Sequence, residues 1–147
     1  MALEIVRMNE THLEEVYAIS LEQFKDESWT LSQFNEELSQ GNREDFVMLL
    51  NGKVVSFIIS LKTDDEYNLL YIATKESFKK QGFATILIGD LLEKAKANKI
   101  EQVYLEVKTT NARAIRFYEK NGFIGVTTRK NYYKDGSDAL LMFNYLK

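Results

Sequence analysis

The sequence contains no cysteine and no proline among its 147 residues. Without cysteine, the chain can form neither disulfides nor thiolate metal sites, and any covalent chemistry must use another nucleophile or none. It also lacks an apolar run near the roughly 20 residues that a membrane-spanning helix needs. Its first residues, Met1 to Glu4, lack the charged and then apolar pattern of a secretion signal. We therefore expect a cytoplasmic protein with no membrane partner.

The sequence also has no excess of basic residues, since it contains 19 lysines and arginines against 22 acidic residues and has a net charge of −3. Proteins with a broad nucleic-acid footprint are normally strongly basic, so an RNA-binding module is disfavoured. A phosphate-bearing ligand needs only a few local basic groups, which remain available. The single histidine, His12, stands where a helix begins, and we expect its side chain to be solvated. We predict no metal site.

The chain length and the 45% hydrophobic content suit a single domain, over residues 1–147, with one continuous core. Local patterns then give the order of its first elements. Leu3 to Met8 is typical of a strand, and Thr11-x-x-Glu14 and Thr30-x-x-Gln33 are capping boxes that predict the starts of two helices. Asn51-Gly52 between two apolar runs predicts a tight β-hairpin.

In the second half, a strand, a helix and a strand follow one another. A right-handed crossover through the helix would make the two strands parallel. We expect Ile86 on the buried face of that helix. The pattern predicts strands at Tyr67 to Thr74 and Gln102 to Val107, helices at Phe83 to Asn98 and Ala112 to Asn121, and a last hairpin of Phe123 to Tyr132 and Ala139 to Tyr145. The fold class is therefore α/β, with a mixed sheet of about seven strands, a parallel central pair and about four flanking helices.

One loop, Lys79 to Thr85, lies between a predicted strand and a predicted helix. Gly82 and Ala84 remove side-chain bulk there, so that a ligand can approach the backbone. The free amides of a helix start, together with the helix dipole, form an anion site suited to a pyrophosphate. The loop matches neither a P-loop nor a dinucleotide fingerprint, and an ordinary loop glycine before a helix is the alternative.

Two further side chains could carry chemistry. Leu105 and Val107 alternate onto one face of a strand, so Glu106 points to the other, which is costly for a carboxylate between helices unless it lines a cleft. A solvated glutamate near a strand end is the other interpretation. Tyr118 in the last helix could simply face the core.

The spacing Lys79-x-x-Gly82-x-Ala84 resembles Gln/Arg-x-x-Gly-x-Gly/Ala, the coenzyme A signature of the GNAT acetyltransferase superfamily. Lysine stands where the family usually has glutamine or arginine, which keeps the charge but loses a planar donor. Matching segments run from about Leu69 to Met142. Among them, Tyr104 to Asn111 and Ala114 to Phe123 are similar to bacterial ribosomal-protein alanine N-acetyltransferases.

This resemblance implies a GNAT fold whose central parallel strands splay to hold acetyl-CoA, with no metal. It implies direct transfer of the acetyl group to a primary amine, in particular the N-terminal amine of a ribosomal protein, with Glu106 as general base and Tyr118 as the acid that protonates the coenzyme A thiolate. The residues it assigns to cofactor binding are Ile72, Ala73, Thr74, Lys79, Lys80, Gln81, Gly82, Phe83, Ala84, Thr85 and Asn111.

Two other functions stay open at this point. A GNAT enzyme could act on a lysine side chain or a small amine. A non-catalytic acetyl-CoA sensor would need the loop at Lys79 to Thr85 but neither Glu106 nor Tyr118, and the joint presence of both counts against it.

Overall fold

A computed structural model describes residues 2–146. Its seven strands are β1 (Leu3–Arg7), β2 (Phe46–Leu50), β3 (Lys53–Thr63), β4 (Glu66–Thr74), β5 (Gln102–Lys108), β6 (Ile124–Arg129) and β7 (Ala139–Tyr145). Its four α-helices are α1 (Leu13–Phe24), α2 (Leu31–Glu37), α3 (Phe83–Ala97) and α4 (Ala112–Lys120). None of the helices in this part of the chain is long and apolar enough to cross a membrane.

The strands form one mixed sheet in the order β1-β2-β3-β4-β5-β7-β6. All neighbours are antiparallel except β4 and β5, which run parallel at the centre. Helix α3 makes the crossover between these two strands. The predicted mixed sheet with a parallel central pair and flanking helices is therefore confirmed.

Each face of the sheet has its own apolar core, so the described residues form two cores and not the one continuous core that the composition suggested. On one face, α3 contributes Leu87, Ile88 and Leu91, which are fully buried, and α4 packs its partly buried side chains beside them. On the other face, α1 and α2 contribute Val16 and Phe34. The first face thus holds the crossover helix, and the second holds the segment that joins α1 to α2.

Two local predictions are confirmed by the backbone geometry. Asn51 and Gly52 have φ of 51° and 82°, as a tight primed hairpin between β2 and β3 requires. The Thr30 hydroxyl accepts from the Gln33 N–H at 3.1 Å, and the Gln33 side chain accepts from the Thr30 N–H at 2.8 Å. This capping box starts α2 where the sequence predicted it.

The start of α1 differs from the prediction. A one-turn 3-10 segment, Glu10–His12, precedes the helix, and Asn9 caps it instead of Thr11. The His12 side chain is partly buried, and its Nδ1 accepts from the Asn9 N–H at 3.0 Å. Burial accordingly lowers the pKa of His12. Asparagine competes well with threonine as a cap, which explains the shift.

Two other expectations are wrong. Ile86 is 47% exposed, and Ile88 takes the place in the core instead. Strand β6 ends at Arg129, before the predicted Tyr132. Asn131 there has a φ of 53° and donates its N–H to the Asp138 carboxylate at 2.9 Å, which turns the chain out of the strand.

Two carboxyl groups are buried together where α2 approaches β2. Asp45 is fully buried and Glu37 is 6% exposed. Asp45 Oδ1 accepts from the Ser60 N–H at 3.1 Å, and Arg43 Nη1 lies 3.6 Å from Asp45 Oδ2. Burial, reinforced by a hydrogen bond with Glu37, raises the pKa of Asp45 to about 8, and burial also raises the pKa of Glu37. The raised pKa therefore keeps Asp45 largely protonated beside Glu37 at neutral pH.

This pair predicts that stability falls as pH rises. The pKa of Asp45 is higher in the fold than in the unfolded chain, so the contribution of its proton is complete below the ordinary aspartate pKa and is lost as pH approaches about 8. We expect the free energy of unfolding to fall by on the order of 4 kcal/mol between pH 5 and pH 9. Asp45→Asn should flatten this slope in urea titrations, whereas Asp26→Asn, at an exposed site, should not. An unchanged slope in Asp45→Asn would contradict a protonated Asp45 in the folded protein.

Candidate active site

The central strands β4 and β5 separate soon after they begin to pair. Glu66, Tyr67 and Asn68 pair with Gln102, Val103 and Tyr104, and no later pair in residues 2–146 joins the two strands, although each continues for several residues. The register of β4 against β3 also shifts at Leu70, which has no partner between the pairs Leu69 with Ser60 and Tyr71 with Ile59. Such a bulge bends a strand, and the result is a wedge that is open between β4 and β5.

Backbone groups of β4 face this wedge. The Lys75 N–H donates to the Val55 carbonyl at 2.8 Å, on the β3 side. Because backbone groups alternate along a strand, the N–H and C=O groups of Ile72 and Thr74 point the other way, toward β5. Ala73 between them faces β3, where its carbonyl accepts from the Ser56 hydroxyl at 2.8 Å. Ile72 and Thr74 therefore offer the wedge the hydrogen-bonding groups that a missing strand partner would use.

The loop Lys79 to Thr85 ends at the start of α3, close to the end of β4. Gly82 is the N-cap, with a φ of 80°, so it has no side chain with which to cap the first amides of the helix, those of Phe83, Ala84 and Thr85. A Cβ added to Gly82 would meet no atom within 4 Å, so the space beside the loop is open. These features fit an anion such as a pyrophosphate.

The polar residues of the same loop lie at its surface. Lys80 and Gln81 are exposed, and Lys80 also has a positive φ of 66°. Lys79 is partly covered, and its Nζ lies 3.4 Å from Glu76 Oε1. Lys79 thus forms an ion pair with Glu76, whereas the exposed Lys80 side chain can turn toward a ligand.

Glu106 lies on the open part of β5. Leu105 and Val107 on either side are buried against α3, so the Glu106 side chain lies on the opposite face, where α1 and α2 pack. The Glu106 side chain is 19% exposed. Its Oε1 accepts from the Tyr132 hydroxyl at 3.2 Å, and its Oε2 is buried without a hydrogen-bond partner.

Arg129 gives Glu106 a second polar neighbour. Its Nη1 lies 3.5 Å from the orphaned Oε2, as an ion pair without hydrogen-bond geometry. A buried carboxylate oxygen with no donor is rare and needs an explanation. An incoming donor, such as an amine, would satisfy it.

Tyr118 lies in α4, where its ring packs against the rings of Phe117 and Phe123 at centroid distances of 5.4 and 5.7 Å. Burial, with a smaller effect of Tyr133, raises the pKa of Tyr118 to about 12. Burial also raises the pKa of Tyr133, as does the charge of Glu106. Tyr133 thus lies within electrostatic reach of both Glu106 and Tyr118.

Asn111 caps α4, since its Oδ1 accepts from the Ala114 N–H at 3.1 Å. This structural task occupies one side-chain atom and leaves the amide NH₂ at the surface.

Sequence reasoning missed the position of Arg129 and Tyr132 beside Glu106. Both lie within the stretch from Leu69 to Met142 that resembles the family, but no role was predicted for either. They follow Glu106 by more than 20 residues, Arg129 at the end of β6 and Tyr132 in the loop that leads to β7. Strand β7 pairs with both β5 and β6, and this pairing places Arg129 and Tyr132 beside Glu106. No local sequence pattern predicts that contact.

Comparisons with known proteins agree with this geometry. The sequence model of the Acetyltransferase (GNAT) family matches residues 9–123. The [Ribosomal protein bS18]-alanine N-acetyltransferase of Escherichia coli (strain K12) is 36% identical over 108 residues, which are 71% of this chain and 73% of that protein. An N-alpha-acetyltransferase of Sulfolobus acidocaldarius is 32% identical over 152 residues, covering 95% of this chain and 83% of the relative. The crystal structure of the ribosomal-protein-S18-alanine N-acetyltransferase from Escherichia coli superposes with a TM-score of 0.90 and 29% identity, covering 99% of this chain and 95% of that one.

Proposed function

The chain belongs to the GNAT acetyltransferase family and is an acetyl-CoA-dependent N-acetyltransferase, and we propose that its acceptor is the N-terminal α-amine of a protein. We infer further that this protein is a ribosomal protein with an N-terminal alanine. The proposal of an α-amine acceptor rests mainly on the similarity to relatives named for α-amine acetylation, which extends over 71% and 95% of the chain. The open wedge and the orphaned oxygen of Glu106 support it.

The residues of the wedge suit acetyl-CoA. The amides of Gln81 to Thr85 bind the pyrophosphate, with Lys79 and Lys80 nearby, and Asn111 contacts the cofactor through its free amide. Ile72 and Thr74 hydrogen-bond the pantetheine arm across the wedge, and Ala73 lies between them. Acetyl-CoA supplies a thioester carbonyl, which the acceptor amine attacks as the carbon–sulfur bond breaks.

Two side chains manage the protons of this step. Glu106 takes a proton from the amine, because its Oε2 is buried and lacks a donor. Tyr118 gives its hydroxyl proton to the departing thiolate. The Tyr132 hydroxyl donates to Glu106 Oε1 and so fixes the direction of the carboxylate.

Proton affinity favours an α-amine as acceptor. Its reference pKa is about 7.7 to 8.0, against roughly 10.4 for lysine, so a larger fraction is the free nucleophile near neutral pH. The difference of about 2.5 units corresponds to roughly 3.4 kcal/mol, which a lysine-directed enzyme must recover by desolvation or by a stronger base. A single glutamate suits the easier substrate.

Two peptides test the acceptor. One has a free N-terminal alanine and no lysine, and the other has a blocked N-terminus and one internal lysine. With acetyl-CoA and the enzyme, we expect mass spectrometry to find the added acetyl group on the first peptide only. Glu106→Gln should slow that reaction by roughly 10²-fold or more. Acetylation confined to the lysine peptide would overturn the α-amine proposal and leave the family unchanged.

A further inference from the structure

Lys108 connects two segments of the chain that lie far apart in sequence. It is the last residue of β5 and lies two positions beyond Glu106, on the same face of the sheet. Its Nζ donates to Glu27 Oε2 at 2.8 Å and to Asp135 Oδ2 at 3.0 Å. The ammonium also lies 5.3 Å from the centroid of the Tyr133 ring.

The two carboxylates belong to the segments that border Glu106. Glu27 ends the one-turn segment Lys25–Glu27, which joins α1 to α2. Asp135 lies in the loop between β6 and β7, close to Tyr132, whose hydroxyl bonds Glu106. The Lys108 ammonium is therefore a bridge between the α1–α2 connection and the β6–β7 loop, on the face of the sheet toward which Glu106 points.

Each end of this bridge is fixed by its own contacts. Asp135 Oδ1 accepts from the Ser137 N–H at 2.9 Å and from the Ser137 hydroxyl at 2.5 Å. Next to Glu27, the Trp29 N–H donates to the Tyr71 hydroxyl at 3.2 Å, which anchors the connection to β4. Each carboxylate therefore belongs to a locally ordered segment, and the Lys108 ammonium joins the two segments to each other.

The charges are consistent with a lasting bridge. Hydrogen bonds to Glu27 and Asp135 raise the pKa of Lys108, and the bonds from Ser137 and Lys108 lower the pKa of Asp135. Exposed ion pairs usually add little to stability. The effect of this bridge is therefore expected on the geometry of the acceptor side and not on the stability of the fold.

We propose that Lys108 is a positioning residue that ties the α1–α2 connection to the β6–β7 loop and so sets the width of the acceptor entrance beside Glu106. Lys108 matters for an acceptor only if the acceptor reaches Glu106 from this side, so the inference rests on the proposed function. It requires that loss of the ammonium impairs binding of the acceptor and leaves the binding of acetyl-CoA unchanged.

Steady-state kinetics of Lys108→Met test this role, since methionine keeps much of the stem and removes the charge. With the peptide that the parent acetylates, we expect KM to rise about tenfold and kcat to stay within about twofold. Calorimetry should give the parent's Kd for acetyl-CoA. Lys108→Arg should restore most of the acceptor KM, because a guanidinium can bond both carboxylates. Lys96→Met, which removes an exposed pair with Glu93 at 3.6 Å on α3, is the control and should change nothing.

A second measurement does not depend on the acceptor. Trp29 is the single tryptophan and lies two residues after Glu27, so its fluorescence reports the α1–α2 connection. We expect acrylamide to quench Trp29 more strongly in Lys108→Met than in the parent or in Lys96→Met. Glu27→Gln should have the same effect, and adding it to Lys108→Met should change little more, as for two residues of one bridge.

These results separate the possible outcomes. A raised KM with unchanged quenching, and a silent Glu27→Gln, would mean that Lys108 touches the peptide directly and would overturn the bridge. Unchanged KM and unchanged quenching would overturn it as well. If the parent acetylates no α-amine, the proposed function fails by itself, and the quenching and the coupling with Glu27 still decide whether Lys108 holds the two segments together.

Discussion

Tyr118→Phe is expected to lower kcat by about 10² to 10⁴-fold and to leave the Kd for acetyl-CoA nearly unchanged. The replacement removes the proton that we propose for the departing thiolate. It keeps the ring contacts with Phe117 and Phe123 at 5.4 and 5.7 Å, so the fold should be preserved. Single-turnover kinetics and calorimetry on the same preparation measure the two quantities separately.

The raised pKa of Tyr118 adds a pH test. Because burial raises this pKa to about 12, the hydroxyl keeps its proton at all lower pH values. Hence kcat of the parent should show no loss from Tyr118 ionisation up to about pH 10. Tyr145→Phe is the matched control, since Tyr145 is 51% exposed and stacks on Phe143 at the far end of β7. A Tyr118→Phe enzyme with the parent's kcat would assign Tyr118 to the core alone.

The parts of the fold that sequence predicts are those determined by neighbouring residues. The Asn51-Gly52 hairpin and the capping box at Thr30 are set within four residues, and both are confirmed. The prediction for the start of α1 was wrong because Asn9 and Thr11 are both possible N-caps, and the sequence pattern does not rank them. The prediction that Ile86 is buried was wrong because a helix with apolar residues on more than one side has several possible buried faces.

The candidate site shows the same division. Alternation along β5 identified Glu106 as the residue that faces away from α3, and this orientation is what the structure has. The resemblance supplied Tyr118, whose pattern alone also allowed a core role. Neither could give the raised pKa of Tyr118 or the contacts of Glu106 with Arg129 and Tyr132, because these depend on burial and on strand pairing across the sheet. The bridge at Lys108 is tertiary in the same sense, since Glu27 lies 81 residues before it.

A substitution in the loop before α3 is expected to have the other large effect, on the affinity for acetyl-CoA. Gly82 has a φ of 80°, which residues other than glycine rarely adopt. A Cβ built at this position meets no protein atom within 4 Å. The protein itself therefore has room for a side chain at this position. Only the backbone conformation and a ligand at the amides of α3 would oppose one.

Gly82→Glu is expected to weaken acetyl-CoA binding by more than about 100-fold, because the carboxylate would occupy the proposed pyrophosphate position and repel its charge. Gly52→Glu is a closely matched control, since Gly52 has a φ of 82° and equally open surroundings but lies in the hairpin between β2 and β3. Both variants should lose about 1 to 2 kcal/mol of stability from the positive φ. Calorimetry with acetyl-CoA, after circular dichroism has shown both variants to be folded, should then find binding lost in Gly82→Glu alone. If Gly82→Glu binds acetyl-CoA as Gly52→Glu does, the amides of this loop do not hold the pyrophosphate, and the cofactor must be held elsewhere along the wedge.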